Sequence, residues 1–132
     1  MPVAVIKKKI IINPNTENIS IELEFKTLLL CVYRIQIKEA NSNKIVHDWS
    51  GDNTNDQDDK YSLGIGKKNV GRTVWIFLSI IDQTGKGGDY EITAILKQNG
   101  EPVPDGKLTT GKKELKPGEN KHDYILVAKL IE

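Results

Sequence analysis

The chain has 132 residues, 38% of them hydrophobic and 28% charged. This is the make-up of one soluble globular domain over 1–132, able to bury roughly two-thirds of its unfolded surface without metals or disulfides. With 19 basic and 18 acidic residues the formal net charge is +1, which excludes a global attraction to nucleic acid or to an anionic membrane. The single Cys31 excludes an intrachain disulfide.

Along the chain, apolar residues recur with a period close to two, the spacing of strands with one buried face. At the start, Met1 to Ile6 is apolar and Lys7-Lys8-Lys9 follows. A secretory signal places its charges first, so a cytoplasmic protein is expected, although a processed secreted chain would read the same way. Ala4, Ile6, Ile10 and Ile12 share one face of a first strand with Lys8 as the exception, and Asn13-Pro14-Asn15 signals a turn. Ile19 to Phe25 alternates completely. Leu28 to Lys38 begins apolar on both faces and ends alternating, which predicts a doubly covered first half. Cys31 lies in that run and reads as a small buried hydrophobe rather than a nucleophile.

Lys44 to Trp49 forms the next strand, and Tyr61, Leu63 and Ile65 mark a short one. Thr73 to Ile81, rich in β-branched and aromatic residues, reads as the core strand of a sheet. Trp75 is expected to be buried, yet alternation sets it opposite Val74, Ile76, Leu78 and Ile80. One face of this strand must therefore cover something besides the main core. Asp82 to Asp89 reads as a hairpin loop, Tyr90 to Lys97 alternates, and Asn99-Gly100 is a tight-turn pair. The Pro-, Gly- and Lys-rich stretch from Glu101 to Lys121 predicts one weak strand near Lys107–Thr110, and His122 to Ile131 closes the chain. The pattern predicts an all-β, single-domain antiparallel β-sandwich of about eight or nine strands, immunoglobulin-like or jelly-roll. No apolar run reaches the ~18 residues of a membrane-spanning helix.

Charge, turn chemistry and oxygen ligands coincide in one segment, Ser50 to Lys60. A calcium ion takes about six to eight oxygens, several from carboxylates spaced along a flexible loop. Asp52, Asp56, Asp58 and Asp59 are the candidate ligands. The flanks read as strands, so this is not the helix-loop-helix motif, and a plain solvated connection explains the same residues. Trp49 stands immediately before the loop. With Asp52, Asn53 and Asn55 it makes a candidate sugar-binding edge, in which the indole stacks on a pyranose and the polar groups bond its hydroxyls. Burial of Trp49 between the sheets is the alternative.

Catalytic signatures fall short. Gly66 to Thr73 nearly fits a phosphate-binding loop, with Arg72 in the lysine position, but strand chemistry follows where a helix is required. Lys67, Lys68 and Arg72 remain as a small cationic patch. His47 and His122 each adjoin an aspartate, and strand neighbours point to opposite faces, so neither Asp48 nor Asp123 orients its histidine. The expected function is a non-enzymatic module that binds a protein partner or a second copy of itself. The alternative is a lectin-like protein that binds a glycan at Trp49 and the acidic loop, with calcium. No cofactor is required for folding, and neither nucleic-acid binding nor a membrane span is expected.

Overall fold

A computed structural model describes residues 3–54 and 59–132. The described elements, in order, are β1 (Ala4–Ile11), β2 (Ile19–Thr27), β3 (Leu30–Lys38), β4 (Ile45–Asp52), β5 (Asp59–Gly64), the single turn α1 (Gly66–Asn69), β6 (Thr73–Ile81), β7 (Gly88–Gln98), β8 (Glu101–Thr109), β9 (Lys113–Leu115) and β10 (Lys121–Ile131). They form two sheets. The first runs β1-β10-β6-β3-β4; the second runs β5-β2-β7-β8, with β9 also paired to β7. The chain is therefore an all-β sandwich of ten described strands, mostly antiparallel. Among the described residues no helix is long and apolar enough to cross a membrane.

Alternation decides which side chains meet. On β6, Val74, Ile76, Leu78 and Ile80 point inward and are at most 2% exposed. They join Cys31, Tyr33, Ile35 and Ile37 of β3 and Leu126, Ala128 and Leu130 of β10. The second sheet answers with Ile19, Ile21 and Leu23 of β2, Ile92 and Leu96 of β7, and Leu115 of β9. Each large aliphatic side chain buried this way contributes on the order of 2 kcal/mol.

Four expectations change. The segment after Ile81, expected to be a hairpin loop, instead crosses from β6 of the first sheet to β7 of the second. The segment from 101 to 121 carries two strands rather than one weak one, because Val103, Leu108 and Leu115 all reach the core. Pro102 and Pro104 are compatible with β8 because it lies at a sheet edge. β1 and β10 run parallel, from Ala4 opposite Tyr124 to Ile11 opposite Ile131. No tight hairpin links these strands, so nothing forces them to be antiparallel. Finally, the apolar run at 28–32 is central in its sheet but not doubly covered. Leu28 lies in a turn with its side chain fully exposed, and Val32 is 41% exposed on the outer face.

Lys8, the exception on the inner face of β1, spans the edge of the sandwich. Its ammonium reaches Asp105 Oδ1 at 3.0 Å and the Lys107 carbonyl at 3.1 Å, tying β1 to β8. The turn at Asn99-Gly100 has positive φ at both residues, 49° and 84°, as a two-residue hairpin with right-handed strand twist requires.

Candidate functional site

The β4–β5 connection crosses from the first sheet to the second at the end of the sandwich that also holds the 82–87 loop. Asn53 begins this crossover, and its role is structural. Its side-chain Oδ1 accepts from the Cys31 amide at 2.8 Å, and its Nδ2 donates to the Leu29 carbonyl at 2.9 Å. Its own amide donates to the Cys31 carbonyl at 3.1 Å, so it continues the β3–β4 ladder into the β2–β3 turn. Asp52 Oδ1 accepts from the amide and hydroxyl of Thr54, and these bonds hold its carboxyl below the usual range. Asp59 Oδ1 accepts from the Tyr33 hydroxyl at 2.6 Å, and the Tyr61 hydroxyl bonds to Tyr33 in turn. Burial, then the bond to Asp59, drives the Tyr33 phenol far above its ordinary value. Burial followed by the Asp59 charge pushes the Cys31 thiol up to about 12, which makes it inert at neutral pH.

Of the proposed cation ligands, Asp52 and Asp59 thus have local partners, while Asp56 and Asp58 lie outside the described residues, as does Asn55. Among the described residues no three His, Cys, Asp or Glu side chains converge to hold a metal ion.

Trp49 faces the interior at the open β4–β5 side. Its indole stacks on His47 at 4.9 Å between ring centroids and on Tyr61 of the opposite sheet at 4.8 Å. Burial, with the Arg72 charge as a second cause, lowers the His47 pKa, favouring a neutral ring in the stack. Two rings already stacked on the indole leave little π-face for a sugar, and the indole instead closes the sandwich edge.

A second polar cluster, which sequence reasoning missed, lies where β10 begins. Glu119 Oε2 accepts from His122 Nε2 at 3.1 Å, and Tyr90 bonds His122 Nδ1 at 2.7 Å. The Tyr124 hydroxyl bonds that of Tyr90 at 2.5 Å. Tyr124, Tyr90, His122 and Glu119 are thus joined in one unbroken chain of hydrogen bonds. The Lys116 amide, then His122, holds the Glu119 carboxyl below its ordinary range. The usable signal was Glu119, three residues before His122 and in a loop, rather than the neighbouring Asp123.

A cleft of about 420 Å³ opens beside this chain, lined in part by Ile6, Thr110 and Glu114. A histidine and a carboxylate in a cleft is the arrangement a hydrolytic reading would need. Here both imidazole nitrogens are engaged within the network. Burial, followed by the Tyr124 bond, raises the Tyr90 phenol far above its ordinary value. The network therefore offers the cleft neither a free base nor an ionised phenol, and its evident work is bracing β7 against β10. Tyr90→Phe should cost about 1–3 kcal/mol in urea denaturation, because it leaves the buried Tyr124 hydroxyl and the half-buried His122 ring without their partner. Tyr124→Phe, at the end of the chain of bonds, should cost less. Equal effects would mean that the hydroxyls do not act as one relay.

The two outer faces of the sandwich differ sharply. On the second sheet Glu22 pairs with Lys97 and, at 3.8 Å, with Lys60; Lys26 pairs with Glu91 at 3.8 Å. This lattice of charge is a face built for water. On the first sheet the register aligns Val5, Ile125 and Phe77 in one row and Val127 and Trp75 in the next. Trp75 stacks beside Phe77 at 6.4 Å, and the Lys38 ammonium sits 4.1 Å from its ring centre. Val5 and Ile11 are 52% and 66% exposed. The expected burial of Trp75 gives way to alternation: its side chain lies on this outer face, partly shielded by its neighbours.

Of the three cations at 67–72, Arg72 is engaged. Its guanidinium binds both carboxylate oxygens of Glu39, at 3.0 and 3.2 Å, leaving the exposed Lys67 and Lys68 as the rest of the patch. No protein-family model, curated protein sequence or solved structure matches the chain.

Proposed function

We propose that the protein is a non-enzymatic binding module that acts through protein–protein contact, with the outer face of the first sheet as its binding surface. The observation that supports this reading is the contrast between the two outer faces. An apolar strip across β1, β10 and β6, with Val5 and Ile125 beside Phe77 and Val127 beside Trp75, is rimmed by Lys7, Arg34, Gln36 and Lys38 and has the anatomy of an interface: an aromatic core inside a polar rim. The opposite face, laced with Glu–Lys pairs, has no such centre. Stacking of Trp49 on His47 and Tyr61 weighs against the lectin-like alternative.

A benzophenone side chain introduced at Val5 or Val32 tests the reading in the cells that make the protein. Irradiation should give discrete covalent adducts from these positions and none from Thr93 on the outer face of the second sheet. An absence of adducts at Val5 and Val32, or the same adducts from Thr93, would overturn it.

A further inference from the structure

We propose that the partner covering this face presents an acidic, extended protein segment, laid along β1 and β10 with its carboxylates over Lys7, Lys9 and Lys129; this rests on the binding surface assigned above. Charge on the outer face of the first sheet is unbalanced. Its carboxylates are engaged within the chain: Asp48 by Arg34 at 2.9 and 2.7 Å, Asp123 by Ser79 at 2.6 Å and Lys121 at 3.4 Å, and Asp52 by Thr54. Its lysines are not. Among the described residues Lys7, Lys9 and Lys129 are exposed and have no carboxylate partner, and Lys38 lies over the Trp75 ring instead.

These lysines also stand together. Register sets Lys9 directly opposite Lys129, with Lys7 two residues away along β1. Like charges that face each other across a ladder destabilise a sheet. Guarding the open edge of the sheet accounts for Lys7 and Lys9, but Lys129 lies on β10, inside the sheet. An anionic partner relieves the repulsion and so favours the complex over the free chain.

Spacing indicates the form of the anion. Lys7 and Lys9 lie about 6.8 Å apart, the distance between alternate side chains of any extended segment, and Lys9 and Lys129 about 5 Å. A segment running along β1 therefore sets one carboxylate over Lys9 and Lys129 and its next same-face carboxylate over Lys7. The following one falls over Val5, beside Ile125, where an apolar side chain fits. The pattern is acid, any residue, acid, any residue, apolar, read in either direction. A nucleic-acid strand would satisfy the lysines, but it brings no apolar group for Val5, Ile125 and Val127. The Trp75 ring on which a base would stack is already covered by Lys38.

Benzophenone at Val5 gives the test, in the cells that make the protein. Tandem mass spectrometry should place the cross-linked residue in a protein segment with the acidic pattern. Lys9→Glu combined with Lys129→Glu should lower the adduct yield at least ~fivefold, whereas Lys112→Glu, next to β9 of the second sheet, should leave it unchanged. Lys9→Glu alone should raise Tm by about 1–3 °C while lowering the yield, because it turns the repulsion with Lys129 into an ion pair. Opposite signs of these two effects separate a binding role from a structural one, and a Tm that falls would overturn the proposal. So would an adduct undiminished in the double variant, or one mapped to a segment without carboxylates, to nucleic acid or to a second copy of the chain; each of these leaves the binding face standing. No adduct from either Val5 or Val32 would overturn the face and the acidic segment together.

Discussion

Gly66→Ala is expected to destabilise the protein by at least ~3 kcal/mol and to lower Tm by about 10 °C. The reason is the backbone that surrounds this residue. A β-carbon at Gly66 would lie 2.4 Å from the Asn13 carbonyl oxygen and 3.2 Å from that of Pro14. Neither atom can rotate away as the tip of a side chain would. Asn13 is held by the Thr16 amide at 3.1 Å, and Gly66 itself donates to the Thr16 carbonyl at 2.8 Å. Relief therefore means moving one of two crossovers between the sheets. Gly100→Ala is the control. Its φ is 84° but its β-carbon meets nothing, so the cost should be the conformational ~1 kcal/mol alone. Thermal melts of the two variants separate the effects, and equal shifts would show that the close approach is soft.

Asn69→Leu should cost about 2–4 kcal/mol. Asn69 is fully buried, and its amide nitrogen donates to the Leu63 and Ile65 carbonyls at 3.1 and 2.8 Å. Its oxygen accepts from Arg72 Nη1 at 3.3 Å. Leucine keeps the branched four-atom outline of asparagine but is bulkier, so no cavity forms, and the loss is that of two buried carbonyls without donors plus some overpacking. Urea titration should show a lower midpoint with an unchanged slope. A midpoint shift worth less than ~1 kcal/mol would mean that water replaces the amide.

Both positions fall in the segment from Gly66 to Arg72, which the sequence presents as turn glycines among cations. Nothing local marks Asn69 as buried. Its partners are carbonyls whose convergence depends on how β5 enters α1, a tertiary outcome.

Strand content, by contrast, was legible because a period of two survives wherever one face is wet. The inward set on β6 could be read from the residues themselves, whereas Trp75, whose size suggested burial, lies on the outer face to which alternation assigns it. The run at 28–32 misled because apolar composition does not tell a buried strand from an exposed turn, and Leu28 belongs to the turn. Trp49 shows the limit most clearly. Its position in a strand beside the acidic segment was readable, but Tyr61, the ring that occupies it, comes from the opposite sheet. Likewise Asn53 offered a ligand's side chain, and only the fold reveals that the β2–β3 turn consumes it.

The parallel pairing of β1 with β10 has a mechanical consequence. The free ends of these neighbouring strands leave at opposite ends of the sandwich, and eight residue pairs lie side by side between them. A pull on the two ends drags one strand past the other along their common axis. The cross-links then bear the load together, in shear, rather than opening one after another as in a zipper. Under tension this seam sets the barrier, and the lifetime of the fold follows the rate at which the seam yields rather than the equilibrium stability.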